Sequence, residues 1–238
     1  MSSITKAVRH IIFSRSASLM VKLKIKGFSK WDLNRKYPGT FFYPHLFKDE
    51  IPLFYNVIEK PKVILEYGSG GSTIQLLRLH KKLFSVDSNP EFFKMMSSLD
   101  ILKSNIIQNN LVYKFIDLGP TDTWGNPAGE EFQSQWHEYY ESIWSDIEKS
   151  KSKIDLIFID GRFRVNCCLY SILKLYESDM MDCIIMIHDF WNRKEYHIVL
   201  RFLDEQTSRL NLGIFKIRKD INLEDVRKML LEYSLIYN

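Results

Sequence analysis

The segment from Val63 to Leu77, VILEYGSGGSTIQLL, constrains the fold more than any other part of the chain. An apolar run of strand-forming residues ends in three glycines within four positions, and apolar residues then recur at helical spacing. Glycine lets the backbone turn without a side-chain penalty, and the start of the following helix presents free N–H groups. The segment therefore predicts a strand, a loop that approaches a ligand, and a helix.

Short apolar runs alternate with helical stretches along most of the chain. We predict strands at residues 62–67, 82–87, 111–117, 154–160, 183–188 and 212–218, and helices at 72–80, 90–103, 130–150, 164–178 and 193–208. This alternation predicts an α/β fold with a doubly wound, mainly parallel sheet and helices on both faces. An amphipathic helix is predicted after residue 218, where the sequence leaves the strand order open.

The first 41 of the 238 residues form a basic amphipathic appendage, and we assign residues 42–238 to the α/β domain. Seven lysines and arginines precede the first acid, Asp32. No uninterrupted apolar stretch of about 7–15 residues is present there, which argues against a signal peptide. We expect a basic lead-in that packs on the domain, with a transit peptide or a peripheral membrane contact as the alternatives.

The net charge, the lengths of the apolar stretches and the cysteine count argue against nucleic-acid binding, a membrane span, and a disulfide or zinc framework. A net charge of +4 is too small to predict nucleic-acid binding. No segment approaches the roughly 18 apolar residues that span a bilayer. Three cysteines, of which Cys167 and Cys168 are adjacent, match neither a disulfide framework nor a zinc site. We expect a cytoplasmic protein, with organellar targeting as the alternative and the oligomeric state left open.

The glycine loop predicts a nucleoside ligand better than a phosphate. The dinucleotide pattern G-x-G-x-x-G fails because Thr73 takes its third glycine position, and the P-loop lysine is absent. What remains is Glu66-x-Gly-x-Gly, followed by an acid, Asp87, at the end of the second predicted strand. Such a carboxylate can accept hydrogen bonds from both hydroxyls of a ribose.

Three motifs carry a family resemblance. LEYGSGGST, SVDSNPEF and DLIFIDGRFR resemble, in this order and spacing, the class I S-adenosylmethionine-dependent methyltransferases. GPTDTWGNP, IDGRFRVNC and IHDFWNR are similar to a group of small, mostly uncharacterised methyltransferase-like proteins. The resemblance covers roughly residues 42–218 and implies a Rossmann-like methyltransferase sheet that uses S-adenosylmethionine.

The resemblance also implies roles for individual residues. Asp87 would bind the ribose, Asp117 or the loop after it would approach the adenine, and Trp124 would stack, act as a lid or simply anchor the loop. The remaining cofactor contacts are expected from the glycine loop and the end of its strand, at Glu66, Gly68, Ser69, Gly70 and Ser72.

The chemistry is expected at the ends of the fourth and fifth strands. Methyl transfer needs in-line positioning and, for a hydroxyl acceptor, removal of a proton. His188, Asp160 and Asp189 are the candidates, and a histidine with a near-neutral pKa is suited to be the general base. Similar O-methyltransferases hold magnesium with acids at these places, so Asp160 and Asp189 are also candidate metal ligands, although His-Asp departs from the usual acid pair.

Arginines flank the same edge of the predicted sheet. Arg162, Arg164 and Arg193, together with Trp191, are candidates for binding an acidic or phosphorylated substrate. The alternative is that these arginines are solvated or paired with nearby acids. We predict an S-adenosylmethionine-dependent methyltransferase of a small polyhydroxylated molecule such as a sugar or glycan. A glycosyltransferase that uses a nucleotide-sugar and a non-catalytic nucleoside-binding module are the alternatives.

Overall fold

The structure, a computed structural model, describes residues 44–122 and 125–237. The basic appendage at residues 1–41 and Trp124 lie outside the described residues. The described helices are α1 Ile51–Ile58, α2 Gly71–Arg78, α3 Pro90–Ser97, α4 Asp100–Ile107, α5 Glu138–Ser150, α6 Arg164–Glu177 and α7 Leu223–Glu232. The strands are β1 Val63–Tyr67, β2 Lys82–Asp87, β3 Leu111–Phe115, β4 Leu156–Ile159, β5 Ile184–Ile187, β6 Leu203–Arg209 and β7 Leu212–Ile217.

The seven strands form one sheet in the order β3-β2-β1-β4-β5-β7-β6. The first five pair in parallel, with Leu65 opposite Phe84 on one side of β1 and opposite Ile157 on the other. β7 pairs antiparallel with both β5 and β6. These pairings define the strand order at the edge of the sheet that the sequence had left open. The order reverses between β1 and β4, so a crevice opens beyond the carboxyl ends of these two strands.

Alternate residues of the central strands enter two cores, one on each face of the sheet. Leu65 and Ile157 belong to one core, which also contains the aromatic residues of α5, while Ile64 and Phe158 belong to the other. On α5, Tyr140, Ile143, Trp144 and Ile147 are buried, as is Trp136 just before the helix. Helices therefore cover both faces, as expected for a parallel sheet whose strands read as continuous apolar runs.

Helix boundaries follow local chemistry. The side chain of Asn89 accepts a hydrogen bond from the backbone N–H of Phe92 and caps α3, which begins at Pro90 as predicted. The single helix predicted at 90–103 is two helices, because α3 ends at Ser97 and Leu99 is extended before α4 begins. The helix predicted at 130–150 begins only at Glu138.

One predicted helix was wrong. Residues 193–208 form a 3₁₀ helix, Lys194–Arg201, and most of strand β6. β6 is an edge strand whose residues after Leu203 are all exposed, so its sequence lacks the apolar alternation that marks a strand. Its pairing with β7, rather than its own sequence, therefore defines it as a strand.

No helix within residues 44–122 and 125–237 is both long enough and apolar enough to cross a bilayer.

Candidate functional site

A cavity of about 400 Å³ opens at the carboxyl edge of the sheet, at the switch between β1 and β4. Most of the predicted site residues meet there, but Glu66, Asp117 and Trp191 do not line the cavity. Its walls are formed by the loops after four parallel strands and by neighbouring segments: His45, Gly68, Ser69, Gly70, Gly71, Ser72, Asp87, Ser88, Asn89, Phe92, Asn126, Tyr139, Asp160, Gly161, Arg162, Arg164, His188, Asp189 and Arg193.

Gly68 serves the packing of the sheet edge. Its φ of +92° lies in the left-handed region, and a Cβ at this position would come within 2.5 Å of the Gly161 Cα. Gly161 is equally confined, since a Cβ there would lie 2.1 Å from the Tyr139 hydroxyl. These two glycines therefore let the chain leaving β1 contact the chain leaving β4, a role that the sequence did not indicate.

Gly70 has the opposite environment. Its φ of 167° is ordinary extended backbone, and a Cβ at this position would meet no atom of residues 44–122 and 125–237 within 4 Å. Its N–H donates to the Thr73 side chain at 2.8 Å, which fixes the start of α2. The open space at Gly70 lies against the cavity, so this glycine leaves room for a ligand to approach the backbone.

Glu66 lies beneath the glycine loop and is fully buried. Its carboxylate accepts hydrogen bonds from the hydroxyls of Ser72 and Thr73, both at 2.6 Å, and of Ser85 at 2.7 Å. Burial raises its pKa from 4.5 to about 7, and the three hydroxyls only partly offset this shift. In place of the predicted cofactor contact, the structure shows Glu66 supporting the loop from below.

Asp87 ends β2 and lines the cavity as predicted. Its Oδ2 accepts from the backbone N–H of Ser69 at 3.1 Å and from the Ser69 hydroxyl, and its Oδ1 accepts from the N–H of Asn89 at 2.9 Å. Burial raises its pKa, although these donors act in the opposite direction. These hydrogen bonds fill three of roughly four acceptor positions, and a ligand would compete for the fourth with the backbone N–H of Ser88, which also acts on the carboxylate.

The Ser69 hydroxyl can supply a second acceptor position on Asp87. It also lies 2.7 Å from the Tyr113 hydroxyl, and either oxygen can be the donor of that hydrogen bond. If Ser69 turned its hydrogen to Tyr113, Asp87 could accept both hydroxyls of a ribose, as the sequence predicted.

Two predicted contacts lie elsewhere. Asp117 is exposed, and its Oδ1 accepts from the N–H of Gly119 at 3.0 Å, so it stabilises a turn. Trp191 packs against the rings of Phe190 and His197. Neither Asp117 nor Trp191 therefore lies at the cavity, where the sequence predicted both.

His188, at the end of β5, is a buried imidazole between two acids. Its Nδ1 lies 2.9 Å from Asp160 Oδ1, and its Nε2 lies 3.2 Å from Glu50 Oε2. Burial alone would lower the pKa of His188, but the charge and hydrogen bond of Asp160, with the charge of Asp189, raise it. Each ring nitrogen of His188 already has a carboxylate partner, so neither is left to take a proton from a substrate, and the geometry does not support the predicted role of general base.

Glu50 is a buried partner that sequence reasoning missed. Its Oε2 also accepts from the N–H of Phe47 at 2.8 Å, and its Oε1 accepts from the N–H of Asn211 at 2.8 Å. Glu50 stands 138 residues before His188 in the chain. No local pattern could have shown this contact.

Arg164 holds the acids of this edge together from a buried position. Its guanidinium lies 3.3 Å from Asp160 Oδ1 and 3.4 Å from Asp189 Oδ2, and it donates to the carbonyl of His188 at 2.6 Å. Burial raises the pKa of Asp160, but His188 and Arg164 together bring it below its ordinary value. Arg164 therefore acts in the ion-pair cluster, and Arg193 also reaches Asp189 at 4.0 Å.

The same contacts bear on the predicted metal site. Ligand atoms of Asp160, His188 and Asp189 lie within 4.8 Å of one another, close enough in principle for a shared ion. Magnesium prefers six oxygen ligands, whereas both nitrogens of His188 already face carboxylates and a guanidinium contacts both Asp160 and Asp189. The donor set therefore fits an ion-pair cluster better than a magnesium site.

Arg162 differs from the other two arginines. It donates to the Asn126 side chain, while its backbone N–H donates to the Tyr139 hydroxyl at 3.2 Å. No ion pair of Arg162 is present within residues 44–122 and 125–237. Asn126 and Tyr139 also line the cavity, although the sequence did not predict them as site residues. Asn126 belongs to the motif GPTDTWGNP.

Comparisons with known proteins identify a solved structure with a similar architecture. No protein-family model and no curated protein matches the chain. Among solved structures, a methyltransferase-like protein from Silicibacter pomeroyi superposes with a TM-score of 0.63 at 23% identity, covering 82% of this chain and 98% of that one. The chain has a class I methyltransferase fold.

Two further structures are similar at lower scores. An SAH-bound methyltransferase from Podospora anserina gives a TM-score of 0.45 at 13% identity, covering 87% of this chain and 95% of that one. An O-methyltransferase from Bacillus cereus in complex with SAH gives 0.42 at 14% identity, covering 90% and 97%. Because both of these TM-scores are below 0.5, the fold is inferred from the similarity to the Silicibacter pomeroyi protein.

Proposed function

We propose that this protein transfers a methyl group from S-adenosylmethionine to a hydroxyl oxygen of a small molecule. The observation that carries the proposal is one cavity at the switch point of a methyltransferase fold. Open backbone at Gly70 and the Asp87 carboxylate share this cavity with Asp160 and Asp189. The first pair suits a nucleoside, and the second pair suits an acceptor hydroxyl.

The glycine-loop side of the cavity fits the cofactor. Gly70 leaves unfilled space against its backbone, and Asp87 has, at the tip of β2, an acceptor position for which a ligand can compete. S-adenosylmethionine, when bound, supplies an electrophilic methyl group on its sulfonium. Asp87 would bind its ribose, while Ser69 and Gly70 would contact the part of the cofactor nearest to β1.

Asp189 is the residue best placed to receive the acceptor proton. Its nearest cationic contact is 3.4 Å away, whereas Asp160 already receives a 2.9 Å hydrogen bond from His188. Asp189 also has a φ of +54°, a strained conformation for aspartate. In the transfer, the oxygen–methyl bond forms as the sulfur–methyl bond breaks, and the hydroxyl proton passes to Asp189 or to water.

A polyhydroxylated acceptor such as a sugar is the narrower proposal. Two acids and an amide of the cavity, Asp160, Asp189 and Asn126, offer oxygen acceptors to hydroxyl groups. A substrate with several hydroxyls could use several of them, although the turnover requires only one reacting oxygen.

A thermal-shift titration tests the proposal. S-adenosylhomocysteine (SAH), S-adenosylmethionine, NAD and several nucleotide-sugars are added separately, because a ligand that binds only the folded state raises the melting temperature. We expect SAH and S-adenosylmethionine to raise the melting temperature and NAD to leave it unchanged. A shift with a nucleotide-sugar and none with either methyl-transfer ligand would contradict the proposal.

A second experiment tests the proton acceptor. Asp189→Asn keeps the size of the side chain and removes its basicity, so methylation of any accepted hydroxyl should fall about 100-fold or more. SAH binding should stay within about threefold of wild type. Unchanged turnover by Asp189→Asn would exclude Asp189 as the proton acceptor.

A further inference from the structure

One arginine on the β4–β5 side of the cavity stands outside the ion-pair cluster. Glu50, Asp160 and Asp189 contact His188, Arg164 and Arg193 here. Arg162 lies in the same wall of the cavity and belongs to none of these pairs. An arginine without a carboxylate, placed in a cavity, can bind an anion from outside.

The immediate contacts of Arg162 support this interpretation. Within the described part of the chain, the side-chain partner of its guanidinium is the neutral amide of Asn126, which Asp122 holds from the far side at 2.7 Å. Partial burial lowers the pKa of Arg162, the positive charge of Arg164 acts in the same direction, and the charge of Asp160 acts against both. Within the described residues, no carboxylate lies at ion-pair distance from the guanidinium of Arg162.

A second donor lies beside Arg162. The Tyr139 hydroxyl, almost completely buried, accepts the backbone N–H of Arg162 and keeps its own hydrogen for another partner. Tyr139 also lines the cavity. A guanidinium fork and a phenolic O–H from neighbouring positions form a donor set that suits a carboxylate or a phosphate.

The proposed cofactor makes an anion in this cavity more favourable. S-adenosylmethionine carries a net positive charge at neutral pH, because its sulfonium adds to an amino-acid group whose charges cancel. Arg162, a cation of the same cavity that stands outside the ion pairs, would disfavour its binding by Coulomb repulsion. An acceptor that brings negative charge would remove this repulsion.

We propose that Arg162 and the Tyr139 hydroxyl bind an anionic group of the methyl acceptor, a carboxylate or a phosphate. The inference deepens the proposed function and depends on it for the identity of the reaction. The acceptor class becomes an acidic or phosphorylated polyhydroxylated molecule. The carboxylate of the cofactor is the other source of the same chemistry, and the experiment separates the two.

Titrations with inorganic phosphate and with malonate test the anion site. The change in melting temperature is followed at constant ionic strength, with and without saturating SAH. Wild type should show saturable stabilisation by at least one of the two anions. Arg162→Gln should weaken its apparent affinity about tenfold or more, because one charge-assisted fork is lost. Tyr139→Phe, which removes only the hydroxyl, should weaken it severalfold.

Arg201→Gln is the matched control. Arg201 is exposed and lies outside the cavity, so this variant loses the same charge without touching the site. It should keep the anion affinity of wild type. No saturable stabilisation of wild type by either anion, or equal anion affinities of Arg162→Gln and wild type, would overturn the proposal.

The cofactor arm uses an SAH analogue that lacks only the carboxylate. If Arg162 binds the acceptor, Arg162→Gln should change the affinities for SAH and for the analogue by the same factor. If Arg162→Gln weakens SAH selectively, Arg162 binds the cofactor carboxylate and the inference is wrong. Failure of SAH to bind wild type would instead contradict the proposed function, while the titrations without SAH still decide the anion site.

Discussion

The two sides of the cavity handle buried carboxylates in opposite ways. On the glycine-loop side, hydroxyl and backbone N–H donors surround Glu66 and Asp87, and burial raises the pKa of both. On the β4–β5 side, His188 and Arg164 hold the pKa of Asp160 below its ordinary value despite its burial. Neutral donors thus leave an acid easy to protonate, whereas cationic partners fix its negative charge.

This difference indicates a division of labour. The glycine-loop side offers hydrogen bonds at open backbone, which suits a nucleoside. The β4–β5 side holds fixed charges, which suit the positioning of an acceptor hydroxyl. The following predictions test the contrast.

The largest effect is expected at Arg164. Arg164→Met would leave Asp160 and Asp189 buried without their shared cation and should lower the free energy of unfolding by about 3–5 kcal/mol. Arg193→Gln, at a partly exposed site 4.0 Å from Asp189, should change it by less than about 1 kcal/mol. Urea denaturation at pH 7 measures both. Similar effects of the two variants would show that the buried cluster does not hold the β4–β5 side together.

Substitution of Gly68 should lower stability, whereas substitution of Gly70 should weaken ligand binding. Gly68→Ala requires a left-handed alanine whose Cβ meets the Gly161 backbone, so the free energy of unfolding should fall by about 3 kcal/mol. Gly70→Ala meets no atom and should change it by less than about 1 kcal/mol. Because the new methyl group fills space beside the cavity, Gly70→Ala should instead weaken SAH binding about tenfold. Calorimetric titration that finds wild-type affinity in Gly70→Ala would refute a ligand at this position.

Glu66 should make stability depend on pH. Its pKa is about 7 in the folded protein and 4.5 ordinarily, so the folded state binds an extra proton between these values. Stability is therefore lost as the pH rises through this window, by about 3 kcal/mol in total.

Glu66→Gln tests that dependence, because it stays neutral and keeps an acceptor for the hydroxyls. Its stability relative to wild type should rise by about 2–3 kcal/mol from pH 4.5 to pH 8. Urea denaturation across this range provides the measurement. Parallel pH profiles of the two proteins would show that folding does not raise the pKa of the Glu66 carboxyl.

The smallest effect is expected from metal removal. Since Arg164 and His188 already contact Asp160, a chelator should change neither the melting temperature nor the methylation rate. Loss of activity in the chelator, restored by magnesium and by no other addition, would show that Asp160 and Asp189 hold a metal.

Local patterns were enough to predict much of the fold and half of the site. The central strands read as apolar runs because both of their faces are buried. Gly70 and Asp87 were found because a glycine loop and an acid at the next strand end are features of the sequence itself. Strand β6 was missed because an exposed edge strand needs no apolar alternation.

The rest of the site depends on contacts between distant residues. Glu50 reaches His188 from 138 positions away, and Gly68 meets Gly161 only when β1 and β4 are neighbours. A sequence shows that His188 follows a strand, but not that acids occupy both of its nitrogens. The same limit hid the difference between Arg164, which has two ion pairs, and Arg162, which has none among the residues that the structure describes.

The central claim is that Asp87 and the glycine loop bind the nucleoside of the methyl donor, and calorimetric titration of SAH tests it most directly. Wild type should bind SAH, Asp87→Ala should bind it at least about tenfold more weakly, and Asp117→Ala, which alters an exposed acid outside the cavity, should bind it like wild type. Equal affinities of Asp87→Ala and wild type, or no binding of SAH by wild type, would contradict the account.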